Sequence, residues 1–279
     1  MGGIVSVQLG AGVAKSLFST LPPSAVVFLR LAFSAIVLVA VGFTAFRSAL
    51  RRSPRADLPV AVGFGLALAT MNFAIYESFS RIPLGIAVTI EFLGPLGVAV
   101  AFSRRWIDVA WVVLAGLGVA LLTRGGAEGI DLAGVVFALV AAVGWASYIL
   151  LGAQVGRRFP GASGLALASV VGTVAVAPVG VASGGSGMWE PHLLATGAAI
   201  ALLSSVVPYT LELEALRRLP ARVFGILMSL EPAVAALVGL IVLNEILYAR
   251  EWFAITCVVL ACLGATRTKA NRAEAPARD

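Results

Sequence analysis

Apolar stretches of about 20 residues follow one another along almost the whole chain, and a stretch of that length crosses a bilayer as a helix. Charged or Pro/Gly-rich breaks divide the chain into ten such spans, at 4–20, 24–46, 58–80, 84–103, 106–123, 130–153, 162–182, 193–216, 221–243 and 248–266. The expected fold is an all-α integral membrane protein with ten transmembrane helices. Little chain is left over for a water-soluble domain. Composition agrees: 60% of residues are hydrophobic and 12% are charged, against roughly 25% charged in a soluble domain.

The polar punctuation repeats. Pro83 to Pro95 reads PLGIAVTIEFLGP, and 137 positions later Pro220 to Pro232 reads PARVFGILMSLEP. Arg81-Ile82 and Arg218-Leu219 precede the two segments, and Glu77 and Glu214 fall at the same offset. Half-length repeats in an apolar chain indicate two related halves. Five spans per half is an odd number, so the second half enters the bilayer from the opposite side and the repeats are inverted. The seam is expected in Arg124-Gly125-Gly126-Ala127-Glu128-Gly129, giving a first unit at 1–126, a second at 127–266 and a polar cytoplasmic tail at 267–279.

Charge sets the orientation. With both termini cytoplasmic, fifteen of the 20 Lys and Arg lie on that side, only Arg81, Arg124 and Arg250 lie opposite, and Lys15 and Arg30 fall within spans. That asymmetry follows the positive-inside rule and gives N-in, C-in. The net charge of +6 is therefore topological and implies no nucleic-acid partner. Cys257 and Cys262 point to different faces of the last span, which disfavours an intrahelical disulfide. No Cys/His spacing suits a metal site, and no cofactor is implied. The first apolar stretch contains Lys15 and does not read as a cleavable signal.

Ionisable groups inside a span are costly and usually face the interior, which makes each a functional candidate. Glu77/Arg81 and Glu214/Arg218 are i,i+4 pairs near helix ends, where a local ion pair is cheap. Arg30 reads equally well as a packing charge or a site residue. Glu91 and Glu231 lie deeper. In the repeat alignment Glu91 meets Met228 and Glu231 meets Gly94, so the two acids are offset by about one turn on the same helical face. Pro95 and Pro232 follow them and open the backbone beside each. A carboxyl group taken out of water is easier to protonate, which suits a proton carrier.

Lys15 shares a stripe with Gln8, Gly12 and Ser19, expected to face a cavity. Asn72 and Tyr76, Trp145 and Tyr148, and Tyr209 and Glu212 also pair on helical faces, where aromatic residues serve as core or as ligand contacts. Together these residues suit a small zwitterion, with Lys15 near its carboxylate and a Glu near its ammonium.

At Ala14-Lys15-Ser16-Leu17-Phe18, Leu29-Arg30-Leu31-Ala32, Met71-Asn72 to Tyr76, PLGIAVTIEFLGPL at 83–96, Trp145 to Leu150, Pro208 to Glu212 and LPARVFGILMSLEPAVAAL at 219–237, the chain resembles the drug/metabolite transporter superfamily in its ten-helix form with two EamA-type repeats. It is most similar to the threonine/homoserine exporter branch, with GIAVTIEF the discriminating piece. The resemblance covers essentially the whole chain. It implies an inner-membrane antiporter that exports small amino acids or related metabolites in exchange for protons, and not an enzyme. By motif position it supports substrate contacts at Lys15, Asn72, Tyr76, Glu91, Tyr148, Tyr209, Glu212 and Glu231 and adds Arg30, while the depth of Glu91 and Glu231 makes them the expected proton-coupling pair. Members of the family carry more residues ahead of the first helix, which leaves the extent of span 1 open. The alternative, an intramembrane enzyme acting on a lipid-linked substrate, would need a nucleophile or metal constellation, and no such motif is present.

Overall fold

The structure, a computed structural model, describes residues 1–52, 57–101, 106–123, 130–159, 163–208, 211, 215 and 221–273. Among these, seven helices are long and apolar enough to cross a membrane, and Trp106–Leu122 and Pro191–Val206 are shorter apolar helices. In chain order the helices are α1 (Gly2–Ser16), α2 (Pro23–Val41), α3 (Phe43–Arg52), α4 (Leu58–Phe79), α5 (Leu84–Glu91), α6 (Leu93–Ala101), α7 (Trp106–Thr123), α8 (Leu132–Arg158), α9 (Ser163–Gly184), α10 (Pro191–Ala201), α11 (Ala221–Met228), α12 (Glu231–Leu243) and α13 (Ala249–Ala273).

Four of the expected spans differ from the sequence reading, each for a local reason. The expected first span is a 15-residue helix closed by a 3₁₀ turn at Leu17–Ser19, ahead of the Pro22-Pro23 break. The second ends at Val41. Phe43–Arg52 then forms a separate helix whose Phe46 packs on the core while Arg47, Arg51 and Arg52 belong to the same ten residues. That mixture of aromatic and basic residues suits the membrane interface better than its interior. The fourth and ninth spans are each broken mid-way, at Phe92 and at Ser229-Leu230.

Helix contacts come in pairs that map onto each other when the halves are exchanged. α4 packs on α8, and its counterpart α10 packs on α1. α9 packs on α4 as α2 packs on α10, and α8 packs on α6 as α1 packs on α12. Among the remaining large contacts, α2 with α9 and α7 with α13 join each helix to its own counterpart, and α5 with α12 joins the two broken spans. This is the packing expected of inverted repeats around a shared centre. The expected seam near residue 126 lies outside the described residues.

Small residues bring the central helices close, as membrane helices require in the absence of a hydrophobic drive between them. A Cβ on Gly85 would stand 2.6 Å from Ala236 Cα across the α5–α12 contact. A Cβ on Gly94 would overlap Ala142 O across α6–α8. The outward faces keep large apolar side chains exposed, among them Val143 and Ile241, as a lipid-facing surface does. Cys257 and Cys262 are buried and free.

Candidate functional site

The breaks in the fourth and ninth spans build the site. Pro95 has no N–H to offer Glu91 O, so α5 ends on Glu91 and the chain resumes as α6 at Leu93. Pro232 likewise has no N–H for Met228 O, and Glu231 becomes the first residue of α12. The two acids therefore occupy opposite backbone fields: Glu91 sits at the carbonyl end of a half-helix and Glu231 at the N–H end of another.

A third irregularity faces them. After Ala201 the backbone widens into a π turn over Leu202–Val206, where Val207 N–H bonds to Leu202 O. The widening takes Val207 N–H away from Leu203 O, and Pro208 has no N–H to offer Ser204 O. Helices of the first half satisfy both. Ser6 Oγ donates to Leu203 O at 2.7 Å, and Arg30 Nη2 donates to Ser204 O at 3.4 Å. Ser34 Oγ donates to Ser205 Oγ at 3.0 Å beside them.

These elements enclose a cavity of about 270 Å³, lined by Gln8, Arg30, Asn72, Tyr76, Glu91, Trp145, Tyr148, Ser204, Pro208, Phe224, Met228 and Glu231 among others. Of the residues expected from sequence, Asn72, Tyr76, Glu91, Tyr148 and Glu231 are brought together here. Tyr209 and Glu212 lie outside the described residues. Arg30 lies with its guanidinium 5.4 Å from the Tyr76 ring centre and donates from Nη1 to Tyr76 Oη at 3.2 Å. Tyr148 stacks on Phe64 at 4.7 Å, and Trp145 meets Phe92 edge-on at 4.9 Å, so these aromatic residues serve both core and cavity.

Lys15 is not part of the cavity wall, which corrects the expectation that it faces a ligand's carboxylate there. Its Nζ lies 2.5 Å from Glu245 Oε1 and donates to Ile82 O at 2.8 Å. The cause is helical distance: seven residues separate it from Gln8, about 10 Å along the axis. The polar stripe is likewise no cavity face as a whole. Gln8 reaches the cavity, Gly12 packs toward Val238 and Ser19 is exposed. Glu77 and Arg81 form the expected helix-end pair at 2.7 Å, on the face away from this site, while Glu214 and Arg218 lie outside the described residues.

Among the described residues, Gln8 Oε1, Arg30 Nε, Asn72 Oδ1 and Ser204 Oγ are buried in the cavity wall without a hydrogen-bond partner. Two of them have a fixed sense. Asn72 Nδ2 donates to Leu68 O at 2.8 Å and Gln8 Nε2 donates to Glu231 Oε1 at 2.9 Å, so both amides turn their acceptor oxygens elsewhere. Buried polar atoms normally have partners in protein, water or ligand, so these positions are where such a partner would bind.

The sequence profile of the EamA-like transporter family matches residues 132–267. The threonine/homoserine exporter RhtA of Salmonella typhimurium (strain LT2) is 42% identical over 265 residues, covering 94% of this chain and 88% of that protein. The chain belongs to the EamA-like transporter family. RhtA of Escherichia coli (strain K12) is 41% identical over 267 residues, covering 95% of this chain and 89% of its own. The uncharacterized transporter YwfM of Bacillus subtilis (strain 168) is 29% identical over 148 residues, 52% of this chain and 50% of that protein. A crystal structure that covers 98% of both chains superposes with a TM-score of 0.67 at 19% identity, which shows the shared fold. An EamA-family chain with this many apolar helices is a multi-pass membrane transporter, and the enzyme alternative finds no support among these relatives.

Arg30 and Gln8 carry more of the site than the sequence assigned them. Arg30 was readable as an intramembrane charge, and Gln8 as part of the polar stripe. Ser204 gave no signal of its own; the only pointer to its carbonyl is Pro208 four residues on, which has no N–H to offer it.

Proposed function

We propose that this protein exports a small amino acid of the threonine or homoserine type across the cytoplasmic membrane in exchange for protons. The observation that carries the reading is the set of unpartnered atoms in the cavity. Arg30 offers a cationic fork suited to a carboxylate. Asn72 Oδ1 and Gln8 Oε1 are acceptors and call for donors, as an ammonium and a side-chain hydroxyl would provide. The cavity volume of about 270 Å³ lies below the range of roughly 300–1,000 Å³ common for drug-sized ligands, which favours a small metabolite. The relatives named for threonine and homoserine export supply the substrate class.

In this reading Glu91 and Glu231 are the proton-coupling pair, Arg30 replaces Lys15 as the partner of the substrate carboxylate, and Tyr76 and Tyr148 shape the wall, with Tyr209 and Glu212 as further contacts. The units 1–126 and 127–266 rock about the shared centre, and lipid surrounds the outward faces. Counterflow of labelled threonine in proteoliposomes, with and without an imposed proton gradient, tests this. Saturable counterflow that the gradient accelerates is expected. Failure of threonine and homoserine to exchange, while another solute does, would overturn the substrate class.

A further inference from the structure

The three central rods that carry cavity residues also meet a second time, at the opposite end. α1 runs from Gln8 at the cavity to Lys15 in its last turn, and α5 runs from Glu91 back to its first residue, Leu84. α12 runs from Glu231 to Leu243, after which Asn244 adopts left-handed backbone angles (φ 55°) and turns Glu245 inward. Glu245 N–H closes that turn on Gly239 O at 3.0 Å. A Cβ on Gly239 would lie 2.5 Å from Glu245 Oε2, so glycine there leaves room for the carboxylate.

At this meeting point the side-chain bonds of Lys15 and Glu245 cross between chain segments. Glu245 Oε1 pairs with Lys15 Nζ at 2.5 Å, Glu245 Oε2 accepts from Leu84 N–H at 2.8 Å, and Lys15 also donates to Ile82 O at 2.8 Å. Pro83, at the start of α5, has no side chain able to cap the helix. The cap comes instead from the other half of the molecule. The side chains of Lys15 and Glu245 are 19% and 13% exposed, so the cluster is a plug at the edge of the protein rather than a surface pair. It lies on the arginine-poor face, beside the links that carry Arg81 and Arg250. Toward the other face, Phe224 and Met228 also line a second cavity of about 160 Å³ whose wall includes Met1, Gly2 and Gly3.

We propose that Lys15 and Glu245 are the positioning residues of an outer gate. Their ion pair holds the arginine-poor face shut while the cavity communicates with the arginine-rich face, and it must part for the substrate to leave. The inference rests on the transport reading above but concerns residues that touch no substrate. A structural brace and a gate differ in one respect: a brace tolerates being locked, whereas a gate does not.

The test uses full-length protein in proteoliposomes with Cys257→Ala and Cys262→Ala as background. Lys15→Cys/Glu245→Cys is bridged by a bifunctional methanethiosulfonate reagent that spans the ion pair. Bridging is expected to lower labelled-threonine counterflow about tenfold or more, with recovery on adding reductant. Counterflow at the unbridged rate would overturn the gate. In a second arm, a single cysteine at the cavity residue Ala11 is labelled by an impermeant maleimide from the arginine-poor face. Lys15→Met and Glu245→Gln should each raise that labelling rate roughly tenfold, and unchanged labelling in both would overturn the proposal. This arm reads the gate whether or not threonine is the substrate, so a wrong substrate class shows as absent counterflow with the labelling change intact.

Discussion

Gln8 on α1 donates from Nε2 to Glu231 Oε1 at 2.9 Å, joining the first helix of one half to a carboxylate at the broken helix of the other. Both side chains are buried, at 2% and 6% exposure. One amide group thereby links the candidate coupling acid to the opposite half and leaves its own oxygen without a partner.

Gln8→Leu removes this buried bond, a loss of roughly 0.5–1.5 kcal/mol. Thermal unfolding in detergent should show a lowered midpoint. Threonine affinity, measured by competition in counterflow, should also fall, because an acceptor has left the wall. A drop in stability with unchanged affinity would make Gln8 a brace for Glu231 and nothing more.

Glu91→Gln keeps the shape of the side chain and removes its exchangeable proton. Gradient-driven export should be lost while the protein still inserts and remains monodisperse, and neutral exchange of labelled for unlabelled threonine should persist. Glu77→Gln is the comparison: it breaks an i,i+4 pair at a helix end, whose usual worth is only about 0.3–0.5 kcal/mol, so export should be close to normal. Full gradient-driven export by Glu91→Gln in proteoliposomes would remove it from the coupling role.

Arg30→Ala should raise the KM for threonine roughly 10- to 100-fold, the equivalent of losing a charge-assisted contact with the carboxylate. Tyr76→Phe removes only the 3.2 Å bond to Arg30 and keeps the ring beneath the guanidinium, so its effect should be a few-fold at most. Equal losses in the two variants would mean that Tyr76 Oη, rather than the arginine's charge, organises the wall.

The helical architecture was legible because lipid leaves the backbone few options: spans need length and apolarity, and both are visible in sequence. The helix breaks beside Glu91 and Glu231 were legible for a related reason, since Pro95 and Pro232 cannot donate to the preceding turn. The partner of Lys15 was not. Glu245 lies in a link outside any span, and its pairing depends on a left-handed turn at Asn244 and on the docking of two distant segments. Residues 43–46 extended the second span on hydropathy alone, although the chain turns at Gly42 and Phe43 opens a separate basic helix. The carbonyl of Leu203 is freed by the π turn, a backbone feature that side-chain patterns do not encode.

Glycine substitutions separate tight contacts from open ones. Gly94→Ala pushes a methyl against the backbone of Ala142, and overpacking of this kind costs about 1–3 kcal/mol. Gly116, on α7, has nothing within 4 Å of an added Cβ, and alanine there should gain up to about 1 kcal/mol of helix propensity. Unfolding midpoints should therefore move in opposite directions. A neutral Gly94→Ala would mean that α6 and α8 can separate without loss.

Pro208→Ala should affect stability and transport in opposite senses. The substitution supplies an N–H where Ser204 O has none from its own helix, and a proline in a helix interior costs about 3 kcal/mol relative to alanine. The turn should tighten and the unfolding midpoint rise. The same new bond competes for the carbonyl that Arg30 Nη2 now reaches at 3.4 Å, so the guanidinium loses one of the two contacts that aim it at the cavity. A single neutral acceptor is worth about 1 kcal/mol, which corresponds to roughly a fivefold rise in the KM for threonine. Added stability with unchanged KM would show that Arg30 is held by Tyr76 alone and that the π turn only packs. Loss of both would show that Pro208 shapes the backbone in a way that its missing N–H does not explain.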